Sequence, residues 1–133
     1  IISTQADFQI VTKKHPSESE IRDLRIAWAL CKHVKSNAIT IVKNQVLIGM
    51  GAGQPNRVTS VRLAAQFAGG ASSGAVLASD ALFPFDDNVN EAASAGITAI
   101  VQPGGSIRDE EIIETADNLG IAMAFTGTRH FLH

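Results

Sequence analysis

The chain has 133 residues, of which 45% are hydrophobic and 18% are charged, and its formal net charge is −2. This apolar content is enough for one buried core and excludes an intrinsically disordered chain, and the lack of net positive charge argues against a nucleic-acid partner. The single cysteine, Cys31, excludes an internal disulfide and a two-cysteine zinc motif and favours a reducing, cytoplasmic compartment. No apolar run approaches the roughly 20 residues of a membrane span, so we expect no membrane partner.

The first part of the chain is predicted to form a short extended segment and one helix. Ser17 and Glu20 have the spacing of a capping box, which supplies partners to two backbone amides at a helix start. The apolar residues that follow at helical spacing are Ile21, Leu24, Trp28, Cys31 and Val34. We expect this helix to end near Ser36 and Asn37.

Two β-rich runs and a glycine-rich segment come next. Residues 38–42 and 46–50 are predicted to be strands, either as a hairpin or as two adjacent strands. The glycines within 49–53 are expected to form a flexible turn, after which Pro55 suits the first turn of a helix. Residues 69–74 are predicted to be a loop. The buried stripe of the intervening helix is expected to be Val58, Val61, Ala65 and Ala68.

Strands and helices alternate in the second half of the chain. The expected strands are 76–79, 97–101 and 121–125. One helix, 88–95, is expected to end at Gly96, and a second is expected to start with Ser106 as its cap and to end at Gly120. The buried face of the second helix is predicted to be Ile112, Ile113, Ala116 and Leu119.

Strands separated by helices predict an α/β fold, with one domain over residues 1–133 and helices on both faces of a mixed, mostly parallel sheet. The carboxyl ends of parallel strands lie at one edge of a sheet, and ligands of open α/β sheets bind at that edge. Right-handed crossovers should therefore bring together three turns, which begin at Asp80, Pro103 and Thr126.

The segment 49–54 (GMGAGQ) matches nucleotide-binding glycine motifs only in part. A dinucleotide fingerprint needs a glycine where Gln54 stands, and a phosphate-binding loop needs Gly-Lys-Ser or Gly-Lys-Thr. The glycines either let the backbone pass close to a neighbouring helix or let it approach a ligand.

Two features have the chemistry of an anion site. The backbone amides of 103–106 precede a helix, so they either bind an anion or belong to an ordinary turn with a Ser106 cap. Arg57 and Arg129 each follow a glycine-containing turn. Each arginine either binds a phosphate with its planar, charged fork or is simply solvated.

An acidic cluster surrounds the Phe-Pro-Phe segment 83–85. Asp80, Asp86 and Asp87 either hold an aminated heteroaromatic ring beside the aromatic side chains or form a solvated turn. In the second case, Asp87 is expected to cap the following helix.

The residues alone do not assign a reaction. Lys32 and His33 lie in the predicted last turns of the first helix, where offsetting the helix dipole is their simplest role. The four histidines form no metal-binding pattern. No arrangement of a nucleophile with a general base is evident.

Five segments resemble, in the same order, the C-terminal part of the AICAR transformylase domain of the bifunctional purine-biosynthesis enzymes that also have IMP cyclohydrolase activity. These segments are VTKKHPSESEIRDLRIAWALCKHVKSNAI, IGMGAGQPNRV, SDALFPFDDNV, GITAIVQPGGSIRDEE and FTGTRHFLH. The resemblance runs from Val11 to His133 and so covers nearly the whole chain.

The resemblance implies a three-layer α/β/α fold, the second of two cytidine-deaminase-like subdomains, without zinc. It implies transfer of a formyl group from 10-formyltetrahydrofolate, a reduced folate, to the amine of the AICAR nucleotide during IMP synthesis. It also implies a homodimer with active sites across the interface.

Other parts of such an enzyme are expected to lie outside this chain. The cyclohydrolase domain and the first transformylase subdomain, which holds the family's catalytic Lys-His pair, are absent. The chain starts at Ile1 rather than Met, so we expect an excised piece that is inactive alone. The alternative is a non-catalytic ligand-binding or dimerisation module.

The resemblance also gives roles to single residues. Asn37 corresponds to the catalytic asparagine that orients the amine and the formyl group. Substrate contacts are implied for Asn37, Arg57, the backbone of Leu82 and, at the nucleotide phosphate, Arg129. Folate contacts are implied for Val58, Asp87, Ser106 and Ile107.

Three positions near the acidic cluster qualify these roles. Leu82 stands where the family is expected to have phenylalanine, so a backbone contact survives and a stacking contact does not. Asp86 stands where a basic residue is common, which is expected to weaken binding of the folate glutamate groups. Some relatives hold a structural potassium ion near the aspartate that corresponds to Asp80.

Overall fold

Six short strands form one mixed sheet with helices on both faces. The computed structural model describes residues 8–33, 38–51, 61, 72–83 and 86–126. The elements, in chain order, are β1 (Gln9–Ile10), α1 (Glu18–Cys31), β2 (Ile39–Lys43), β3 (Val46–Gly51), β4 (Val76–Ser79), α2 (Asp87–Ser94), β5 (Ala99–Gln102), α3 (Asp109–Leu119) and β6 (Ala122–Phe125).

The strand order is β1-β6-β5-β4-β2-β3. β4 pairs with β5 and β5 pairs with β6 in parallel, whereas β1–β6, β2–β3 and β2–β4 are antiparallel pairs. The mixed α/β sheet is therefore confirmed, but the expectation that it is mostly parallel is wrong. The hairpin β2–β3 and the short β1 add antiparallel strands on either side of a parallel centre.

Alternating side chains of the sheet enter two separate apolar layers. On one face, Val76 and Ala78 of β4 join a buried cluster with Leu24 and Ala27 of α1. On the other face, Leu77 belongs to a buried cluster that contains residues of both later helices, Val89, Ala92, Ile112 and Ala116. This period-two alternation gives the predicted α/β/α layering.

Helix α1 begins as predicted and ends earlier than expected. The Ser17 hydroxyl accepts a hydrogen bond from Glu20 N (3.1 Å), and the Glu20 carboxylate accepts one from Ser17 N (2.8 Å), which is the capping box. The helix ends at Cys31, where the amides of Lys32 and His33 bond to carbonyls of the last turn. Residues 34–37, where the end was expected, lie outside the described residues.

The two β-rich runs form the hairpin β2–β3. Asn44 and Gln45 have φ values of 53° and 68°, as a tight hairpin turn requires. The buried Asp23 of α1 accepts a hydrogen bond from each of their amides, both at 3.0 Å. Gly49 and Gly51 pair with β2 inside the hairpin, so the flexible turn expected at these glycines is wrong.

The C-terminal elements follow the prediction with small shifts. β4 has the predicted bounds, β5 and β6 start one or two residues later than expected, and α2 is followed by Gly96 with φ 87°. Leu119, which was expected to be buried, is 43% exposed at the end of α3. Of the helix predicted after Pro55, the structure describes only Val61, which is helical and buried.

Within the described ranges, no helix has the length and apolar character needed to cross a membrane.

The contact between α1 and the hairpin generates a stability prediction. Asp23→Ala is expected to lower the free energy of unfolding by about 2 kcal/mol, because two turn amides lose a charged acceptor. Asp23→Asn, which keeps one acceptor oxygen, should lose about half as much. Urea unfolding measures both changes. A loss for Asp23→Ala below about 0.5 kcal/mol contradicts this role.

Candidate functional site

The three parallel strands bring the predicted turns to one edge of the sheet. Val76, Ala99 and Ala122 lie in register at the start of β4, β5 and β6, so the strands also end together. The segments that contain Leu82 and Asp87 follow β4, and the pair Ser106-Ile107 follows β5. The edge predicted from the sequence is therefore confirmed for these segments. Four further predicted site residues lie outside the described residues: Asn37, Arg57, Val58 and Arg129.

Asp80 joins the turn after β4 to the start of β2. Its carboxylate accepts a hydrogen bond from Ala38 N at 2.9 Å, and its own amide donates to Ala38 O at 3.2 Å. These two bonds hold Ala38, at the start of β2, at the carboxyl edge. Ala38 directly follows Asn37 in the chain. Sequence analysis proposed Asp80 for a ring contact or an ion and did not find this bond.

The carboxylate of Asp80 is only partly available to a metal ion. One oxygen is used by the Ala38 amide, which leaves Oδ2 as the donor suited to a hard cation such as potassium. Across the residues that the structure describes, no group of three or more His, Cys, Asp or Glu side chains could hold a metal ion.

The other two aspartates of the acidic cluster differ in their surroundings. Asp86 accepts a hydrogen bond from the Thr115 hydroxyl at 3.0 Å, which connects the residue before α2 to the second half of α3. Asp87 is the first residue of α2 and is exposed, and its Oδ1 accepts a bond from the Asn88 side chain at 3.2 Å. The expectation that Asp87 caps the helix is wrong, because Asp86 occupies that position and makes no side-chain cap bond.

In the turn after β5, the carboxylate of Asp109 binds the backbone amides that were expected to bind an anion. The amides of Gly105 and Ser106 donate to the two oxygens of Asp109, at 2.8 and 3.0 Å. The hypothesis that these amides bind an external anion is therefore wrong. Ser106 is not the helix cap either, since Arg108 holds that position and donates its amide to Ser106 Oγ at 3.0 Å.

Ile107 stands at the tip of this turn with its side chain fully exposed. Removing a large apolar side chain from water is favourable, so a flat, apolar ligand surface that covers it would be stabilised there. The Ser106 hydroxyl accepts one bond and keeps a proton to donate. The pair therefore offers an apolar contact next to a polar one.

Gln102, which sequence analysis missed, connects the turns from inside. Its side chain is completely buried, and Oε1 accepts hydrogen bonds from Phe83 N and Gly104 N, both at 3.1 Å. Its amide group lies 3.7 Å from the sulfur of Met123, and its backbone carbonyl accepts from Thr126 N at 3.1 Å. The available signal was a polar residue at the end of a strand that is otherwise apolar.

Among the described residues, Lys32 and His33 make no hydrogen bond or ion pair to the turns after β4 and β5; their amides bond to carbonyls of α1. They follow α1 directly, and the Lys32 ammonium lies 5.8 Å from the centre of the Trp28 ring, a cation–π distance. That partner fits a structural role for Lys32.

A sequence profile of a known family matches half of the chain. The AICARFT/IMPCHase bienzyme family matches residues 1–67. This chain belongs to that family. The resemblance proposed from the five segments is therefore confirmed.

Curated relatives match almost the whole chain. The "Bifunctional purine biosynthesis protein PurH" of Acaryochloris marina is 59% identical over 132 residues, which are 99% of this chain and 25% of the relative. The protein of the same name from Synechocystis sp. is 60% identical over 126 residues, 95% of this chain and 25% of the relative. The chain thus spans about a quarter of the length of these relatives.

Solved structures share the fold of this family member at low sequence identity. RibD of Acinetobacter baumannii (form 2) has a TM-score of 0.52 at 20% identity, over 77% of this chain and 34% of that chain. A Thermotoga maritima diaminohydroxyphosphoribosylaminopyrimidine deaminase/5-amino-6-(5-phosphoribosylamino)uracil reductase has a TM-score of 0.51 at 22% identity, over 77% of this chain and 33% of that chain. These matches confirm the α/β fold.

Two glycines provide a matched test of the turn after β5. Gly104 and Gly120 have similar positive φ values of 78° and 74°, but a Cβ on Gly104 would lie 2.7 Å from Phe125 Cγ and one on Gly120 would meet nothing within 4 Å. Gly120→Ala should cost about 1–2 kcal/mol of stability from backbone strain. Gly104→Ala should cost about 1–3 kcal/mol more, because the Phe125 ring must move.

Thermal or urea unfolding of both variants measures this difference. Equal losses for the two variants would show that the Phe125 ring does not confine the turn.

Proposed function

We propose that this chain is the part of a bifunctional purine-biosynthesis enzyme that contacts the nucleotide and the folate during AICAR formyl transfer. The donor is 10-formyltetrahydrofolate, the acceptor is the amine of the AICAR nucleotide, and the enzyme is a cytoplasmic homodimer. Family membership supports the enzyme class. The observation that carries the assignment to this site is the convergence of the turns after β4 and β5 at one sheet edge.

The side chains at this edge suit the two proposed ligands. The exposed carboxylate of Asp87 can accept N–H bonds from the amino-pyrimidine part of a pterin ring. The exposed Ile107 offers an apolar surface to the neighbouring aromatic part of the folate, and the Ser106 hydroxyl can donate to a carbonyl. The Leu82 backbone belongs to the turn that Gln102 holds at Phe83, which suits a fixed contact to the nucleotide.

The reaction transfers one carbon between two nitrogens. The amine of the nucleotide attacks the formyl carbon, which forms a C–N bond and a tetrahedral intermediate with a negatively charged oxygen. The intermediate collapses with cleavage of the bond to N10 of the folate. The attacking amine loses a proton, and N10 gains one. The chain's task is to hold both reactants within attacking distance, which by itself lowers such barriers substantially.

The remaining roles follow the family correspondence. The Asn37 amide stabilises the oxyanion and orients the amine. Arg57 contacts the nucleotide, Arg129 binds its phosphate with a bidentate fork, and Val58 contacts the folate. The proton transfers belong to the Lys-His pair that the resemblance assigns to the first transformylase subdomain.

Asp80 fits a supporting role in the same proposal. Its Oδ2 is the oxygen that the chain would offer to a structural potassium ion, which would reinforce the junction with Ala38. No step of the transfer depends on that ion.

A chimaera tests the proposed function. The matching quarter of the Synechocystis protein is replaced by this chain, and formyl transfer from 10-formyltetrahydrofolate to the AICAR nucleotide is followed spectroscopically. The 60% identity over 126 residues makes a folded chimaera the expected product. Turnover is expected, with Asn37→Ala lowering kcat about 100-fold and KM much less. A folded chimaera that binds nucleotide and never transfers formyl supports the non-catalytic module instead.

Two substitutions should separate the ligand contacts. Arg129→Ala should raise KM for the nucleotide about 10–100-fold, since a phosphate loses a bidentate partner, and leave KM for the folate within about twofold. Asp87→Asn should show the reverse selectivity, because an amide cannot accept both ring N–H bonds. Glu110→Gln, on the exposed first turn of α3, is the control. Equal effects of Arg129→Ala on both KM values contradict the assignment.

A further inference from the structure

The buried Gln102 carboxamide has hydrogen-bonding partners in both ligand-contacting turns. Its oxygen accepts from the amides of Phe83 and Gly104, which lie in different turns. Both partners are N–H donors, so the orientation of the carboxamide is determined by its surroundings. The role proposed for Leu82 uses only the bond to Phe83 N, and the connection between the two turns has no role so far.

We propose that Gln102 is a positioning residue, which fixes the distance between the nucleotide-contacting turn and the folate-contacting turn. This inference rests on the proposed function. Phe83 N directly follows Leu82, the residue assigned to the nucleotide, and Gly104 precedes the folate pair Ser106-Ile107 by two residues. One oxygen atom therefore sets the separation of the two contacts.

The surroundings of Gln102 require an acceptor at this point. The side chain is 0% exposed, so no water replaces it if the oxygen is removed, and two buried N–H groups lose their partner. The carbonyl of the same residue accepts from Thr126 N, so Gln102 also touches the turn after β6. An apolar side chain of similar length would fill the space and leave the two amides free to separate.

Loss of the Gln102 acceptor should impair the alignment of the two substrates more than it impairs their binding. Each substrate keeps its own contacts when the turns shift by about 1 Å. The attacking amine and the formyl carbon, however, no longer meet at the required distance, and such a displacement costs about 100-fold in rate. Gln102 should therefore affect kcat more than either KM.

The test uses the full-length chimaera and two substitutions at one position. Gln102→Met keeps the length of the side chain and removes the acceptor, and kcat should fall about 30–100-fold while both KM values rise less than about fivefold. Gln102→Glu restores an acceptor oxygen, and kcat should return to within about fivefold of the parent chimaera.

Hydrogen exchange of the Phe83 and Gly104 amides monitors the proposed bonds directly. Both amides should lose protection in Gln102→Met and regain it in Gln102→Glu. Ile121→Val is the control for stability, because Ile121 is buried just before β6, at the opposite edge of the sheet. It should lower the melting temperature and leave kcat within about twofold of the parent.

The possible outcomes separate the proposed function from the positioning role of Gln102. An inactive parent chimaera overturns the proposed function and, with it, this inference. An active parent in which Gln102→Met exposes both amides and keeps its kcat overturns the inference alone. If Gln102→Met does not fold, Gln102→Glu decides: protected amides with near-parental kcat support the positioning role, and protected amides with a 30-fold loss of kcat contradict it.

Discussion

The parallel pairing of β4, β5 and β6 is the constraint on which the candidate site depends. Parallel strands in register end at the same level, so the residues that follow them share one edge whatever their separation in sequence. Leu82 and Ile107 are 25 positions apart in the chain and belong to neighbouring turns. The antiparallel hairpin adds the start of β2 to the same edge through the bonds between Ala38 and Asp80.

Polar groups within these turns are mostly committed to the protein. Asp109 occupies the amides at the tip of the turn after β5, Asp86 accepts from Thr115, and Gln102 holds two amides beneath the surface. Within the described part of these turns, the groups that remain for ligands include Oδ2 of Asp80, the exposed carboxylate of Asp87, the Ser106 hydroxyl proton and the Ile107 side chain. This arrangement suits recognition of a ring edge and an apolar surface more than capture of a free anion.

The sequence predicted most elements because their local signals agree with the fold. The capping box at Ser17 and the apolar runs of β4 to β6 fix element type through short-range geometry. It did not predict the roles of Asp109 and Gln102, because a carboxylate near free amides and a glutamine at a strand end look the same whether they face ligand or protein. The turn predicted at Gly49 was wrong for a similar reason, because a glycine in a strand and one in a turn differ only in their tertiary pairing.

The central claim is that the edge formed by these strands binds nucleotide and folate together. Hydrogen exchange of the chimaera with and without the AICAR nucleotide and a folate analogue tests it most directly. The account predicts slowed exchange in residues 80–83 and 103–108 when both ligands are present, and no change at the hairpin turn of Asn44 and Gln45. Protection that appears at the hairpin turn and leaves both of those segments unchanged would contradict it.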